Sequence, residues 1–220
     1  MQEGKSLKRI VSVVLAASAV GILTGCNDEN HAEYMYDHME ESVAIEMEMA
    51  DIQEPLQSME QEELAMYEEM LEISEIEEIE PIADQAIASA EERRSMMDQE
   101  MDIMERSYAE FNEARDYIDE LDEEVVPYAE DAMSAMDDRY DHYQQLHEAY
   151  LSSVEMDIEL YNMMKDEDVE IETLEEQHDS VNESYEEISS LNDTFNELTR
   201  DYNDEKMNFY EAAGLNVQFE

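Results

Sequence analysis

Hydrophobic positions recur along most of this chain in alternating steps of four and three, the spacing of one helix face carried through successive heptads. Met97, Met101, Met104, Tyr108 and Phe111 form the most regular run, and Ile118 and Val125 extend it at seven-residue intervals. Met136, Tyr140, Tyr143, His147, Tyr150 and Val154 form a second stripe. Ile171, Leu174, Val181, Tyr185, Ile188, Phe195, Leu198, Tyr202 and Phe209 form a third. A shorter run upstream holds Leu56, Met59, Leu64, Tyr67 and Leu71. Such stripes are core seams, here filled with methionine and tyrosine where leucine is commoner. Period-two alternation of β-branched residues, the signal of a strand, has almost no support.

The punctuation between stripes sets the expected boundaries. A first helix over 32–52 stops before Pro55, which suits the first turn of a second helix. Ser74 with Glu77 three residues on is a capping-box pattern, which places a break at 72–75. A long helix over 82–125 follows, with Pro81 in its first turn or kinking it and Pro127 closing it, about 66 Å at 1.5 Å per residue. A helix over 128–164, a turn at 165–168 and a last helix over 169–212 complete the chain, with Gly214 as the C-terminal stop. After Cys26 there are one glycine and three prolines, too few turn residues for anything but long helices. The prediction is an all-α, elongated up-and-down antiparallel bundle or coiled-coil-like fold. Three main helices have shorter N-terminal ones alongside, in one domain over 32–214 with a tail at 215–220.

The first 25 residues read differently. Lys5, Lys8 and Arg9 precede a mostly apolar run over 10–23, and Leu23-Thr24-Gly25 leads directly into Cys26, the one cysteine of 220 residues. That is the pattern of a lipoprotein signal peptide over 1–25. Fourteen helical residues reach about 21 Å, short of a hydrocarbon core of roughly 30 Å, which disfavours a permanent span. Cys26 is then a diacylglycerol-modified anchor, with residues 26–31 as lipidated cysteine and polar tether. The protein is expected on the extracytoplasmic face of the cell membrane.

Charge narrows the partners. The chain holds 63 acidic and 11 basic residues for a net charge of −52, and loss of residues 1–25 leaves 62 and 8, or −54. Like-sign repulsion excludes nucleic acid and opposes lying flat on an anionic membrane. Concentrated salt, with a Debye length of about 3 Å at 1 M, makes such a surface tolerable, so the acidity reads as halophilic adaptation.

Candidate chemistry is sparse. Glu175-x-x-His178 is half of a di-metal carboxylate pattern whose other half is missing, and His31 and His38 lie near Asp28 and Asp37 with no further ligand. Neither supports a metal site. There is no glycine-flanked serine, no phosphate loop and no evident cleft for a carboxylate pair, so no catalytic residue and no cofactor is predicted. The last helix carries a polar stripe, Asn192, Asn196, Thr199, Asn203, Lys206 and Tyr210, beside its apolar one. Asn and Thr disfavour helix interiors, so their recurrence needs a cause. Either they are buried and fix register between helices, or they form a donor and acceptor row for a glycan or peptide. Arg139 with Tyr140, Tyr143, Tyr150 and Tyr161 forms a second candidate group of the same kind, the first three the stronger candidates for a ligand.

Residues 135–214 resemble the YkyA-type cell-wall-binding lipoproteins of Bacillus-like bacteria. The resemblance rests on Arg139-Tyr140-x-x-Tyr143, Tyr150, Glu159-Leu160-Tyr161 and the string from Asn192 through Phe195, Asn196, Thr199, Tyr202, Asn203, Lys206 and Phe209 to Tyr210. Ala86, Glu91-Glu92-Arg93 and the lipobox add to it. It implies a helical, membrane-anchored surface protein without catalysis that binds peptidoglycan or another wall polymer. A scaffold or helper that accepts helices of another extracytoplasmic protein is the alternative.

Overall fold

The structure, a computed structural model, describes residues 30–215; the signal-peptide reading, Cys26 and most of the tail lie outside the described residues. The fold is an all-α helical bundle, as predicted. Its helices are α1 (His31–Glu46), α2 (Ala50–Glu72), α3 (Ile76–Glu113), α4 (Val126–Met164) and α5 (Ile171–Ala212), with 3-10 turns at Met47–Met49 and Ala114–Glu120. No strand occurs among the described residues.

The boundaries differ from expectation where proline was over-read. The first break falls in the 3-10 turn Met47–Met49, and α2 continues through Pro55. Pro81 likewise lies inside α3. Both prolines are exposed, as are Asp51 and Glu77 four residues before them, so water can serve the carbonyls that lose their amide donors. The break at 73–75 is where the capping pattern put it, though the carbonyl that accepts the first amides is that of Glu75, from Glu78 and Ile79. The long helix does not reach 125. It ends at Glu113 and tightens into the 3-10 turn, leaving Ile118 within that turn and Val125 in the loop after it, both half-buried against the core. Pro127 begins α4 instead of ending α3, the first-turn position where its missing amide hydrogen costs nothing. At the far end Gly214, with φ 69°, closes α5: Gly214 N donates to Glu211 O at 3.1 Å and Leu215 N to Tyr210 O at 2.9 Å, the Schellman pattern.

The seams are regular and run mostly through the residues expected, with displacements by one position at several places. Along α3 a buried seam runs through Ile79, Ala83, Ala86, Ala90, Arg93, Met97, Glu100, Met104, Ser107 and Phe111 in steps of four and three and continues to Ala114 in the 3-10 turn, with Ile103 buried beside it. Met101 and Tyr108 are only half-buried, displaced by their neighbours Glu100 and Ser107. In α2 Glu63 and Met70 are buried, while Leu64 and Leu71 are 50% and 59% exposed. In α4 Arg139 and Leu146 take the places expected of Tyr140 and His147, and Ser153 is buried beside Val154. Ile171 at the start of α5 is 76% exposed.

The chain divides into two compact units. The first comprises 50–98 and 147–192, and the second comprises 30–49, 99–146 and 193–215 among the described residues. The second has a contiguous apolar core of Met35, Tyr36, Met39, Phe111, Met133, Met136, Tyr202, Phe209 and Tyr210, each large side chain worth roughly 1.5–3 kcal/mol when fully buried. The first buries Ala83, Ala86, Ala90, Leu56, Met70, Val154, Leu160, Val181 and Ile188.

Candidate functional site

The polar residues singled out in sequence lie largely inside the seams. In the second unit Arg139, 2% exposed, sends two nitrogens to Glu46 of α1 at 2.8 and 2.7 Å, and its Nε donates to Thr199 Oγ1 at 3.0 Å. Thr199 donates onward to Phe195 O, and the guanidinium lies 4.9 Å from the Phe195 ring centroid. Ser107 continues the layer, donating within 3.0 Å of Glu46 Oε1 and lying 2.8 Å from Ser42 Oγ. Burial alone would lower the Arg139 pKa, but the charge and hydrogen bonds of Glu46 hold it above the ordinary arginine value.

Two more polar layers flank this one in the same unit. Tyr143 OH donates to buried Glu100 at 3.0 Å; burial first, and Glu100 second, push its pKa well above the usual tyrosine value. Lys206 Nζ at 3.1 Å and Tyr210 OH at 2.9 Å both reach Glu40 Oε1. Burial and the Glu40 charge raise Tyr210 likewise.

The stripe is therefore not one surface. Asn192, Thr199 and Lys206, seven residues apart, alternate with Ile188, Phe195, Tyr202 and Phe209 along the buried seam of α5, and Tyr210 is 1% exposed. Asn196 and Asn203 are half-buried at its margin, Arg200 is exposed, and Asn192 belongs to the first unit. Tyr140 is half-buried and stacks on Tyr108 at 3.9 Å.

Of the first unit's polar centre, the sequence singled out Arg93, Tyr150 and Tyr161 but not the carboxyl groups that meet the arginine. Arg93, 1% exposed, donates through Nε and Nη2 to the two oxygens of Glu63 at 2.8 and 2.7 Å, and through Nη2 to Asp157 Oδ2 at 2.7 Å. Its Nη1 donates to Tyr150 OH at 3.1 Å, and that hydroxyl donates to Glu60 Oε1 at 2.8 Å. Tyr185 OH donates to Asp157. The signal was available as a rule of composition: in a chain with so few cations, one in a heptad seam needs carboxylates opposite it.

The half-pattern at Glu175 and His178 resolves into packing. His178 stacks on Tyr67, whose hydroxyl is 2.8 Å from Nδ1, and Asn182 is 2.9 Å from Nε2. His31 and His38 lie against Tyr117, and His38 Nδ1 is 2.7 Å from Glu110. Among the described residues no group of three or more His, Cys, Asp or Glu side chains is placed to hold a metal ion, and no helix is long and apolar enough to cross a membrane.

The sequence profile described as "YkyA: putative cell-wall binding lipoprotein" matches residues 30–212, almost the whole described fold. The chain belongs to the YkyA family. A curated relative, the "uncharacterized lipoprotein YkyA" of Bacillus subtilis (strain 168), is 28% identical over 200 residues, 90% of each chain. Among solved structures, a conserved protein of unknown function from Staphylococcus aureus aligns with a TM-score of 0.46 at 10% identity, over 84% of this chain and 98% of that one. In this YkyA family member, seven of the eight basic residues after Cys26 form ion pairs within the fold: Arg93, Arg94, Arg106, Arg115, Arg139, Lys165 and Lys206.

Proposed function

We infer that this protein is a non-enzymatic surface lipoprotein, anchored through Cys26 on the extracytoplasmic face of the membrane, whose helical fold binds a wall polymer. The observation that carries the reading is the family match across residues 30–212, under a description that names cell-wall binding. Its chemistry follows from the charges. A Cys26-anchored chain at −54, with seven of its eight cations in ion pairs, has little to offer a polyanion such as teichoic acid, so a neutral glycan or a peptide stem of peptidoglycan is the better ligand. Asn196 and Asn203, with amide groups and solvent access at the margin of α5, are the stripe members suited to such a contact. Thr199, Lys206, Tyr210, Arg139 and Tyr143 hold that helix in register beneath them. The acidic surface suits a saline habitat.

The test is co-sedimentation of the mature chain, with Cys26→Ser, on purified sacculi in molar salt, with and without teichoic acids. Saturable pelleting that survives teichoic acid removal and weakens in a folded Asn196→Ala, Asn203→Ala variant is the expected result. Pelleting lost with the teichoic acids would sink the neutral-ligand reading, and none at all would sink wall binding.

A second reading, a scaffold for another extracytoplasmic protein, has one observation in its favour. The methionine seams are filled internally, but Leu64 and Leu71 stay exposed one heptad apart on α2. Crosslinking on intact cells that captures a defined partner, lost with Leu64→Ser and Leu71→Ser, would favour it.

A further inference from the structure

Three carboxyl groups converge on one buried guanidinium in the first unit. Glu63 and Asp157 are each within 2.7 Å of Arg93 Nη2, and Glu60 is 3.8 Å from Nη1. Fully ionised, they would leave two negative charges in excess in a region where Glu63 is 2% and Asp157 4% exposed. A buried charge without a partner is costly, and carboxyls forced together relieve that cost by keeping a proton. Among the described residues, the other groups recorded around Glu63 are neutral. They are Tyr150 and Tyr161 from α4 and Tyr185 from α5, with Ser89 of α3 as a hydroxyl partner.

We propose that the Arg93 cluster is a buried proton-binding site, occupied on Glu63, and that loss of this proton as pH rises loosens α2 in the first unit. α2 has three buried residues, Leu56, Glu63 and Met70, and Glu63 is the middle one. A repelled Glu63 removes the central contact of the helix, which keeps Leu56, Met70 and the stacked Tyr67–His178 pair. Burial raises the Glu63 pKa, Arg93 and Ser89 lower it, Asp157 raises it, and the net direction is up. A folded-state pKa above the unfolded one means the folded state binds more protons, so docking of α2 is strongest in acid and weakens as pH rises through the folded value. Glu60, 12% exposed and bonded to Tyr150 OH, connects the cluster to solvent.

The experiment is hydrogen exchange across residues 50–72, on the full chain in detergent and molar salt, from about pH 5 to 9, corrected for intrinsic exchange and paired with infrared detection of protonated carboxyls. One released proton lowers protection up to about tenfold per pH unit. The expected result is a protonated-carboxyl band that disappears with the same midpoint as α2 protection, both abolished in Glu63→Gln. A flat protection profile, no such band, or a transition that persists in Glu63→Gln overturns the proposal. Should Glu63→Gln fail to fold, Asp157→Asn decides: it relieves the crowding, so the transition must move to lower pH, and an unmoved midpoint overturns the proposal.

Discussion

Each unit is pinned by one buried arginine, and the two arginines are balanced differently. Arg139 meets a single carboxylate, Glu46, and fills its remaining donor with Thr199, while Ser42 and Ser107 complete the layer with neutral hydroxyls. Arg93 meets Glu63, Asp157 and Glu60 together. Both layers join several helices and both specify register, because a charge buried in the wrong register has no counter-charge. Only the first carries excess acid. The same device is thus neutral in one unit and proton-dependent in the other.

Removing the arginines should have the largest effect. Arg93→Met and Arg139→Met are each expected to cost about 3–5 kcal/mol near neutral pH, because each leaves buried carboxylate unpaired. The distinguishing result is the size of the loss. Arg93 serves three carboxyl groups and Arg139 one, so the loss should be larger in the first unit. Urea denaturation in molar salt at pH 7 measures both, and equal losses would erase the contrast.

An alkaline transition should appear in both units and so calibrate the comparison. Tyr150 in the first unit, and Tyr143 and Tyr210 in the second, are pushed well above the usual tyrosine value by burial. Tyr36 is raised to about 12, by burial first and then by Glu40 and Asp37. For each, the folded state keeps its proton longer than the unfolded chain. The stability they confer is whole below pH 10 and lost as pH climbs from there through the folded values. Ultraviolet tyrosine absorbance, followed alongside circular dichroism, should show ionisation coinciding with unfolding; ionisation without unfolding would contradict the burial.

Smaller changes sharpen the second unit. Thr199→Val removes the acceptor of Arg139 Nε and is expected to cost about 1.5–3 kcal/mol in denaturant titration, the range for a hydrogen bond to a charged group. Gly214→Ala should cost about 1–2 kcal/mol through backbone conformation alone, since a Cβ there meets nothing within 4 Å. A loss much beyond that would reveal packing at the end of α5 that the open space does not suggest.

How far the sequence was legible shows best where neighbouring residues compete for a seam. Met97, Met104 and Phe111 were readable as core and are buried. Between them the reading chose Met101 and Tyr108, but Glu100 and Ser107 lie deeper. The same one-residue displacement set Leu64 and Leu71 against Glu63 and Met70. Hydropathy assigns a glutamate to solvent because it knows nothing of the residue opposite. Glu63 is interior because Arg93, thirty positions away, meets it with two hydrogen bonds. Likewise the Asn192, Thr199 and Lys206 repeat was visible as a stripe with burial as one of two readings, and the fold places these three inside the seam.

The sequence by itself determined that the chain is helical, where the long helices broadly lie, that its charge is strongly negative and which family it resembles. Those properties follow from local periodicity, composition and matching residues. Tertiary structure alone decided which polar side chains are interior, where α3 gives way to a 3-10 turn, and that Arg93 and Arg139 sit in differently balanced surroundings. The physical reason is that burying a charge depends on a partner supplied from another helix, and no local pattern records which distant residue that will be.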